Sequence, residues 1–122
     1  MKKSILIVED ELRIRFLLRD YLTKDDFNVF EASNGEEGLF VFSTQKIDLV
    51  ILDIMMPIMD GMTMLEKLRE VSTVPVILLT AKSEEDDKLQ GYDYGADDYI
   101  TKPFSPKVLI AKVKALLKRS RE

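Results

Sequence analysis

Four consecutive large apolar residues, Leu49-Val50-Ile51-Leu52, run directly into Asp53. The run is too short for a free-standing helix and too apolar for a strand with one wet face. It predicts a strand buried on both faces, which is the environment of a parallel sheet. The aspartate at its end is then aimed into the crevice where open α/β sheets bind their ligands. An acid in that place can be a metal ligand, a nucleophile or both.

The rest of the chain alternates strand and helix in the way a parallel sheet requires. Ser4–Val8 reads as the first strand, and Glu11–Lys24 as a helix with Leu12, Phe16, Leu17, Leu18, Tyr21 and Leu22 at helical spacing. A short second strand is expected at Phe27–Glu31. Asn34-Gly35-Glu36-Glu37 opens a second helix, with Asn34 as N-cap and an acid at the third helical position. Asp48–Leu52 is the third strand, Asp60-Gly61 a turn before the third helix, and Pro75–Leu79 the fourth strand. Ser83 caps a fourth helix that ends near Gly91 or Gly95. Asp98–Thr101 is the fifth strand, and Ser105-Pro106 starts the last helix with proline at the first helical position. Five such units predict a doubly wound three-layer α/β sandwich around a five-stranded parallel sheet. A closed eight-unit barrel needs about twice this length.

Composition narrows the chemistry. At 122 residues the chain is one domain with room for a full core. A net charge of -4 disfavours general affinity for nucleic acid. With no cysteine there is no disulfide or thiolate site, and with no histidine there is no imidazole base, ligand or phosphohistidine relay on this chain. No apolar stretch approaches membrane-spanning length and no signal peptide is evident, so a cytoplasmic location is expected. The acidic run Glu84-Glu85-Asp86-Asp87 and the basic end at Lys112, Lys114, Lys118, Arg119 and Arg121 read as helix termini matched to the macrodipole. Glu9-Asp10 fits that reading less well, because it follows directly on a buried strand.

All strands of a parallel sheet end at one edge. Glu9 and Asp10 end the first, Asp53 the third, Thr80 the fourth and Lys102 the fifth. Each alone has a plain explanation: a strand-end acid as a helix cap, a threonine as a turn residue, a lysine before proline as a solvated charge. Their coincidence at successive strand ends is harder to dismiss. Crowded carboxylates raise one another's pKa and are costly unless a cation offsets them. Oxygen ligands without histidine or cysteine select a hard ion, Mg²⁺ or Mn²⁺. A metal, a lysine and a hydroxyl around one aspartate form a site for phosphoryl transfer, with Asp53 as nucleophile and an acyl phosphate as product.

These residues carry a resemblance. Ile5-Leu6-Ile7-Val8-Glu9-Asp10-Glu11, Leu52-Asp53-Ile54-Met55-Met56-Pro57-Ile58-Met59-Asp60-Gly61, Leu79-Thr80-Ala81, Gly95-Ala96-Asp97-Asp98-Tyr99 and Lys102-Pro103-Phe104 resemble the motifs of the receiver domain of two-component response regulators, over essentially the whole chain. The resemblance implies the flavodoxin-like (CheY-like) strand order 2-1-3-4-5. It implies that Asp53 accepts a phosphoryl group from a sensor histidine kinase. Glu9, Asp10 and Asp53 would hold Mg²⁺ with the backbone carbonyl of Met55, Lys102 would pair with the phosphoryl group, and Thr80 would move to hydrogen-bond it while Tyr99 turns inward. It also implies a cis Lys102–Pro103 bond, where the dipeptide by itself favours trans. Such a domain promotes its own phosphorylation and dephosphorylation and is not a multiple-turnover enzyme.

The stretch from Gly95 to Pro106 followed by a basic helix looks like the OmpR/PhoB group, whose active receivers pair symmetrically through the fourth helix, fifth strand and fifth helix. By that resemblance Lys88, Asp97, Asp98, Lys112 and Arg119 form the charged rim of a dimer face. Val108 stands where the acidic partner of Lys88 would be, so one ion pair is lost, at a cost of only about 0–1 kcal/mol. The expected division is a receiver domain over residues 1–118 and the start of a linker over 119–122, leading to a DNA-binding output domain that this chain does not contain. The main rival is a stand-alone receiver acting in a phosphorelay or as a docking module. A haloacid dehalogenase-type phosphatase needs a second acid two residues after the nucleophile, where Met55 stands here. A phosphorylation-independent module usually lacks part of the acidic site, which is complete here. A nucleotide-dependent switch would need a glycine-rich phosphate loop, and none occurs.

Overall fold

The computed structural model describes residues 2–81 and 94–119. Five parallel strands, β1 (Ser4–Val8), β2 (Asn28–Ala32), β3 (Leu49–Asp53), β4 (Val76–Thr80) and β5 (Asp98–Thr101), form one sheet in the order β2-β1-β3-β4-β5. Helices α1 (Leu12–Lys24), α2 (Gly35–Thr44), α3 (Gly61–Arg69) and α4 (Pro106–Arg119) connect and follow them. The helix expected after Ser83, with the acidic run 84–87 and Lys88, lies outside the described residues. Here α4 is the last helix of the sequence reading.

Alternation along the strands sends side chains to two cores. Ile5, Ile7, Leu49, Ile51, Ile77 and Leu79 pack under α1 and α4, with Leu18, Leu22, Leu109 and Val113. Leu6, Val8, Val50, Leu52, Val76 and Leu78 pack on the opposite side against α3 residues Met62, Met64, Leu65 and Leu68. Every residue of β3 and β4 is buried. This is why those segments read as unbroken apolar runs, not as alternating ones.

The first helix differs from what its composition suggests. Leu18 and Leu22 are buried and Ile14 packs beside them, in one row at four-residue spacing. Leu12, Phe16, Leu17 and Tyr21 are exposed. Both rows have helical periodicity, and one helix can turn only one of them to the sheet. Arg19 stacks over the outward Phe16 ring at 4.4 Å.

The helix starts follow the sequence. Asn34 Oδ1 accepts from the Glu37 amide at 2.9 Å, and Asp60 Oδ1 accepts from the Thr63 amide at 2.8 Å. Strands β2, β3 and β4 each begin and end one residue later than expected, because a polar or small last residue still pairs. Asp53 lies opposite Leu79, and Thr80 opposite Thr101. Among the described residues no helix is long and apolar enough to cross a membrane.

Candidate metal and phosphoryl site

The chain moves one way from β1 to β2 and the other way from β3 through β4 to β5, so the two sides of the sheet diverge at the β1/β3 boundary. That boundary is the switch point where a crevice opens at the carboxyl edge. Register brings the acids to it. Ile5 pairs with Leu49 and Ile7 with Ile51, so Glu9 and Asp53 are the next residues along two adjacent rows. Glu9 is 0% exposed and Asp53 3%. Asp10 is exposed beside them. Glu9, Asp10 and Asp53 each offer one carboxylate oxygen, and these three atoms lie within 4.8 Å of one another.

Lys102, directly after β5, reaches across to this group. Its Nζ lies 3.0 Å from Glu9 Oε1 and 3.3 Å from Asp53 Oδ1. Its backbone amide donates to the Thr80 carbonyl at 2.6 Å, which ties the lysine to the end of β4. Lys102–Pro103 is cis, as the resemblance implied. Thr80 is buried at the same edge. On the neighbouring strand Tyr99 pairs with Leu78, and Thr80 lies two residues beyond Leu78 on the same face. Thr80 and Tyr99 are therefore diagonal neighbours, with the half-buried Tyr99 packed against the core that contains Leu78.

The electrostatics are unbalanced. Burial first, and then the neighbouring Asp53, push the Glu9 carboxyl up to about 8, against the opposing pull of Lys102. Burial works to lower the Lys102 ammonium, but its contacts with Glu9 and Asp53 outweigh this and raise it. Although Lys102 is within ion-pair distance, the buried Glu9 Oε1 has no hydrogen-bond partner among the described residues. With all three acids ionised, three carboxylates and one ammonium leave two negative charges in the crevice. A divalent cation matches that charge, and an all-oxygen donor set suits a hard ion.

The loop after Asp53 is shaped by one close approach. A Cβ on Gly61 would collide with the Asp53 carbonyl, and the Gly61 amide donates to the Ile54 carbonyl at 2.8 Å. Glycine lets α3 begin against the backbone that carries Asp53. In the same loop Met55 is exposed, and Ile58 adopts φ +68° with 78% of its surface exposed.

The residues expected at a dimer face are differently placed. Lys88 lies outside the described residues. Asp98 and Lys112 pair within the chain at 2.9 Å. Asp97 accepts from Arg69 at 3.1 Å and from the Val76 amide at 2.8 Å. Arg119 lines a shallow groove of about 300 Å³ with Asp97, Thr73, Pro75 and Leu116. Sequence reasoning passed over two arginines that brace these regions. Arg69 donates twice to the Gly95 carbonyl, at 2.9 and 2.7 Å, and Arg15 bonds the Glu9 carbonyl at 3.0 Å. Both reach backbone oxygens, which no residue pattern advertises. For Arg15 the one sequence signal is its place a turn into the helix that follows the strand-end acids; Arg69 has no such signal.

Residues 5–114 match the model of the response regulator receiver domain. The transcriptional regulatory protein SrrA of Staphylococcus aureus is 48% identical over 120 residues, covering 98% of this chain and 50% of that protein. The chain spans about half the length of the curated relatives it matches. A two-component response regulator from Clostridium difficile superposes with a TM-score of 0.95 at 32% identity, covering 99% of this chain and 100% of that one. A CheY-like receiver domain protein from Methanospirillum hungatei does so with a TM-score of 0.94 at 30% identity, covering 99% and 98%. The strand order, the acidic edge and these matches agree, and the chain belongs to the response regulator receiver domain family.

Proposed function

We propose that this domain is a phosphoacceptor switch in which Asp53 takes a phosphoryl group from the phosphohistidine of a sensor histidine kinase. The observation that carries the reading is the buried Asp53 carboxylate 3.3 Å from Lys102, with Glu9 and Asp10 close enough to share an ion with it. An Asp53 oxygen forms the new O–P bond, and the N–P bond to the donor imidazole breaks. The imidazole leaves with the electron pair and takes up a proton. Glu9, Asp10 and Asp53, with the Met55 carbonyl, are the residues to hold Mg²⁺ or Mn²⁺. That ion supplies charge neutralisation for the phosphoryl oxygens. Lys102 is already placed to follow the charge from the carboxylate to the phosphoryl group. The domain promotes gain and loss of its own phosphoryl group and turns over no separate substrate.

The switch follows from the diagonal placement of Thr80 and Tyr99. A phosphoryl group adds about -1.5 to -2 charges and three acceptor oxygens. The Thr80 hydroxyl reaches one of them only by moving toward the edge, and the Tyr99 ring can fill the vacated space. The active arrangement of the face made by the helix expected after Ser83, β5 and α4 then becomes more populated. Phosphorylation promotes pairing of two copies through Lys88, Asp97, Asp98, Lys112 and Arg119. In a longer protein, like the curated relatives, that pairing would control a DNA-binding output region beyond this domain. A sedimentation profile that stays monomeric with Asp53 fully phosphorylated would refute the pairing.

Intact mass after incubation with a small phosphodonor tests the core of the reading. The expected result is one added phosphoryl group that requires Mg²⁺ and is absent in Asp53→Asn. No gain with a competent donor would remove Asp53 as acceptor.

A further inference from the structure

Two acids of the site, Glu9 and Asp10, are consecutive and lie past the last ladder pair of β1, Val8 opposite Leu52. The peptide between them must nevertheless be held, because its plane sets the directions in which the two side chains leave. The preceding peptide, Val8–Glu9, is held by β2, whose Ala32 carbonyl accepts the Glu9 amide at 3.0 Å. The Glu9–Asp10 peptide itself is held from a helix. Arg15, one turn into α1 and with only 14% of its side chain exposed, donates Nη1 to the Glu9 carbonyl at 3.0 Å.

Arg15 is itself oriented. Its Nε donates to Glu31 Oε1 at 3.0 Å, and the other Glu31 oxygen lies 3.7 Å from Arg19. Glu31 is on β2 and pairs with Ile7 of β1. The guanidinium therefore spans α1, the end of β1 and β2, with two of its nitrogens in fixed directions. A planar fork suits this task, and a lysine lacks the two donor arms held at a fixed angle to one another.

Resting on the reading of the acidic edge as a divalent-cation site, we propose that Arg15 is a positioning residue for that site. It fixes the Glu9–Asp10 peptide plane, and through it the spacing of the two carboxylates. It touches neither the ion nor the phosphoryl group. Two consequences of its removal oppose each other. Loss of a positive charge leaves Glu31 with Arg19 alone and makes the region more negative, which by itself tightens binding of a cation. Loss of the carbonyl bond frees the peptide plane and loosens the ligand set. Positioning outweighs charge if the plane matters.

The test is calorimetric titration of Mg²⁺ into the unphosphorylated protein, for wild type, Arg15→Met and Arg15→Lys, with Tm measured in EDTA alongside. Arg15→Met is expected to weaken Mg²⁺ about tenfold, the lower end of the losses seen on removing an outer partner of a metal ligand. Arg15→Lys keeps the charge, removes the fork and is expected to weaken it less. A merely structural arginine would lower Tm and leave the Mg²⁺ affinity of the folded variant unchanged or tighter, which would overturn the proposal. Should Arg15→Met fail to fold, Arg15→Lys alone decides, because its net charge equals that of wild type. Wild-type protein that takes up no Mg²⁺ would overturn the functional reading and this proposal with it. Normal wild-type uptake with unaltered variants would overturn the positioning role alone.

Discussion

Along β3 the residues Leu49 to Leu52 are buried, apolar and fully packed, while one residue later Asp53 is almost as buried and carries a carboxylate. The same contrast holds on β1, between Val8 and Glu9. In the interior every side chain gains by leaving water. At the carboxyl edge Glu9 loses by it, and its buried Oε1 finds no hydrogen-bond partner among the described residues. The two regions are therefore held together by different physics. The interior is arranged for stability. The edge gathers three acids around one lysine, a grouping compatible with a divalent cation.

Truncation in the interior should have the largest effect. Leu52→Ala removes a wholly buried side chain and should cost about 2–5 kcal/mol in urea unfolding. Mg²⁺ affinity of the folded fraction should change little, since Leu52 faces the core under α3. A comparable loss of Mg²⁺ affinity would show that interior and edge are not separable.

The interior was also the more legible part of the sequence. Unbroken apolar runs at 49–52 and 76–79 announced strands covered on both faces, and the short polar connections allowed little but a doubly wound sheet. The acids were legible because a parallel sheet gathers all its strand ends at one edge. Strand limits slipped by one residue at Ala32, Asp53 and Thr80, since a residue that ends a hydrophobic pattern can still complete a ladder. The two rows of α1 could not be separated by periodicity, as both Leu18-Leu22 and Leu12-Phe16 have helical spacing. Arg15 and Arg69 were unreadable for a different reason. Their partners are carbonyl oxygens whose position depends on the whole fold.

At the edge, Lys102→Met should be the most damaging change. It removes the cation that faces both buried acids, and loss of one member of a buried pair costs about 3 kcal/mol. The cost should be greatest above pH 8 without metal and smaller near pH 5, where Glu9 is protonated. Equal costs at both pH values, measured by chemical denaturation, would disconnect the lysine from Glu9.

The wild-type edge should itself respond to pH. The folded Glu9 carboxyl is raised from 4.5 to about 8, so between those values the folded state binds more protons than the unfolded one. Stability in EDTA should therefore fall as pH rises through that window. Saturating Mg²⁺ should flatten the decline.

Ile58→Gly should have the smallest effect and the opposite sign. A branched side chain at φ +68° costs about 1–2 kcal/mol, and glycine gives back part of that relief as unfolded-state entropy. With the side chain exposed there is little packing to lose, so a gain of about 1 kcal/mol or less in thermal unfolding is expected. A clear loss would mean that Ile58 packs in a way its exposure conceals.

The most direct test of the contrast is unfolding of wild type and Asp53→Asn side by side, in EDTA and in saturating Mg²⁺ at pH 8. Without metal, Asp53→Asn relieves the crowding on Glu9 and should be the more stable protein. With Mg²⁺ at about 100 times its Kd, wild type should gain about 2.7 kcal/mol by mass action and overtake the variant. A crossing of the two proteins between the two conditions is the predicted result. Wild type more stable in EDTA, with no further gain on adding Mg²⁺, would contradict the account.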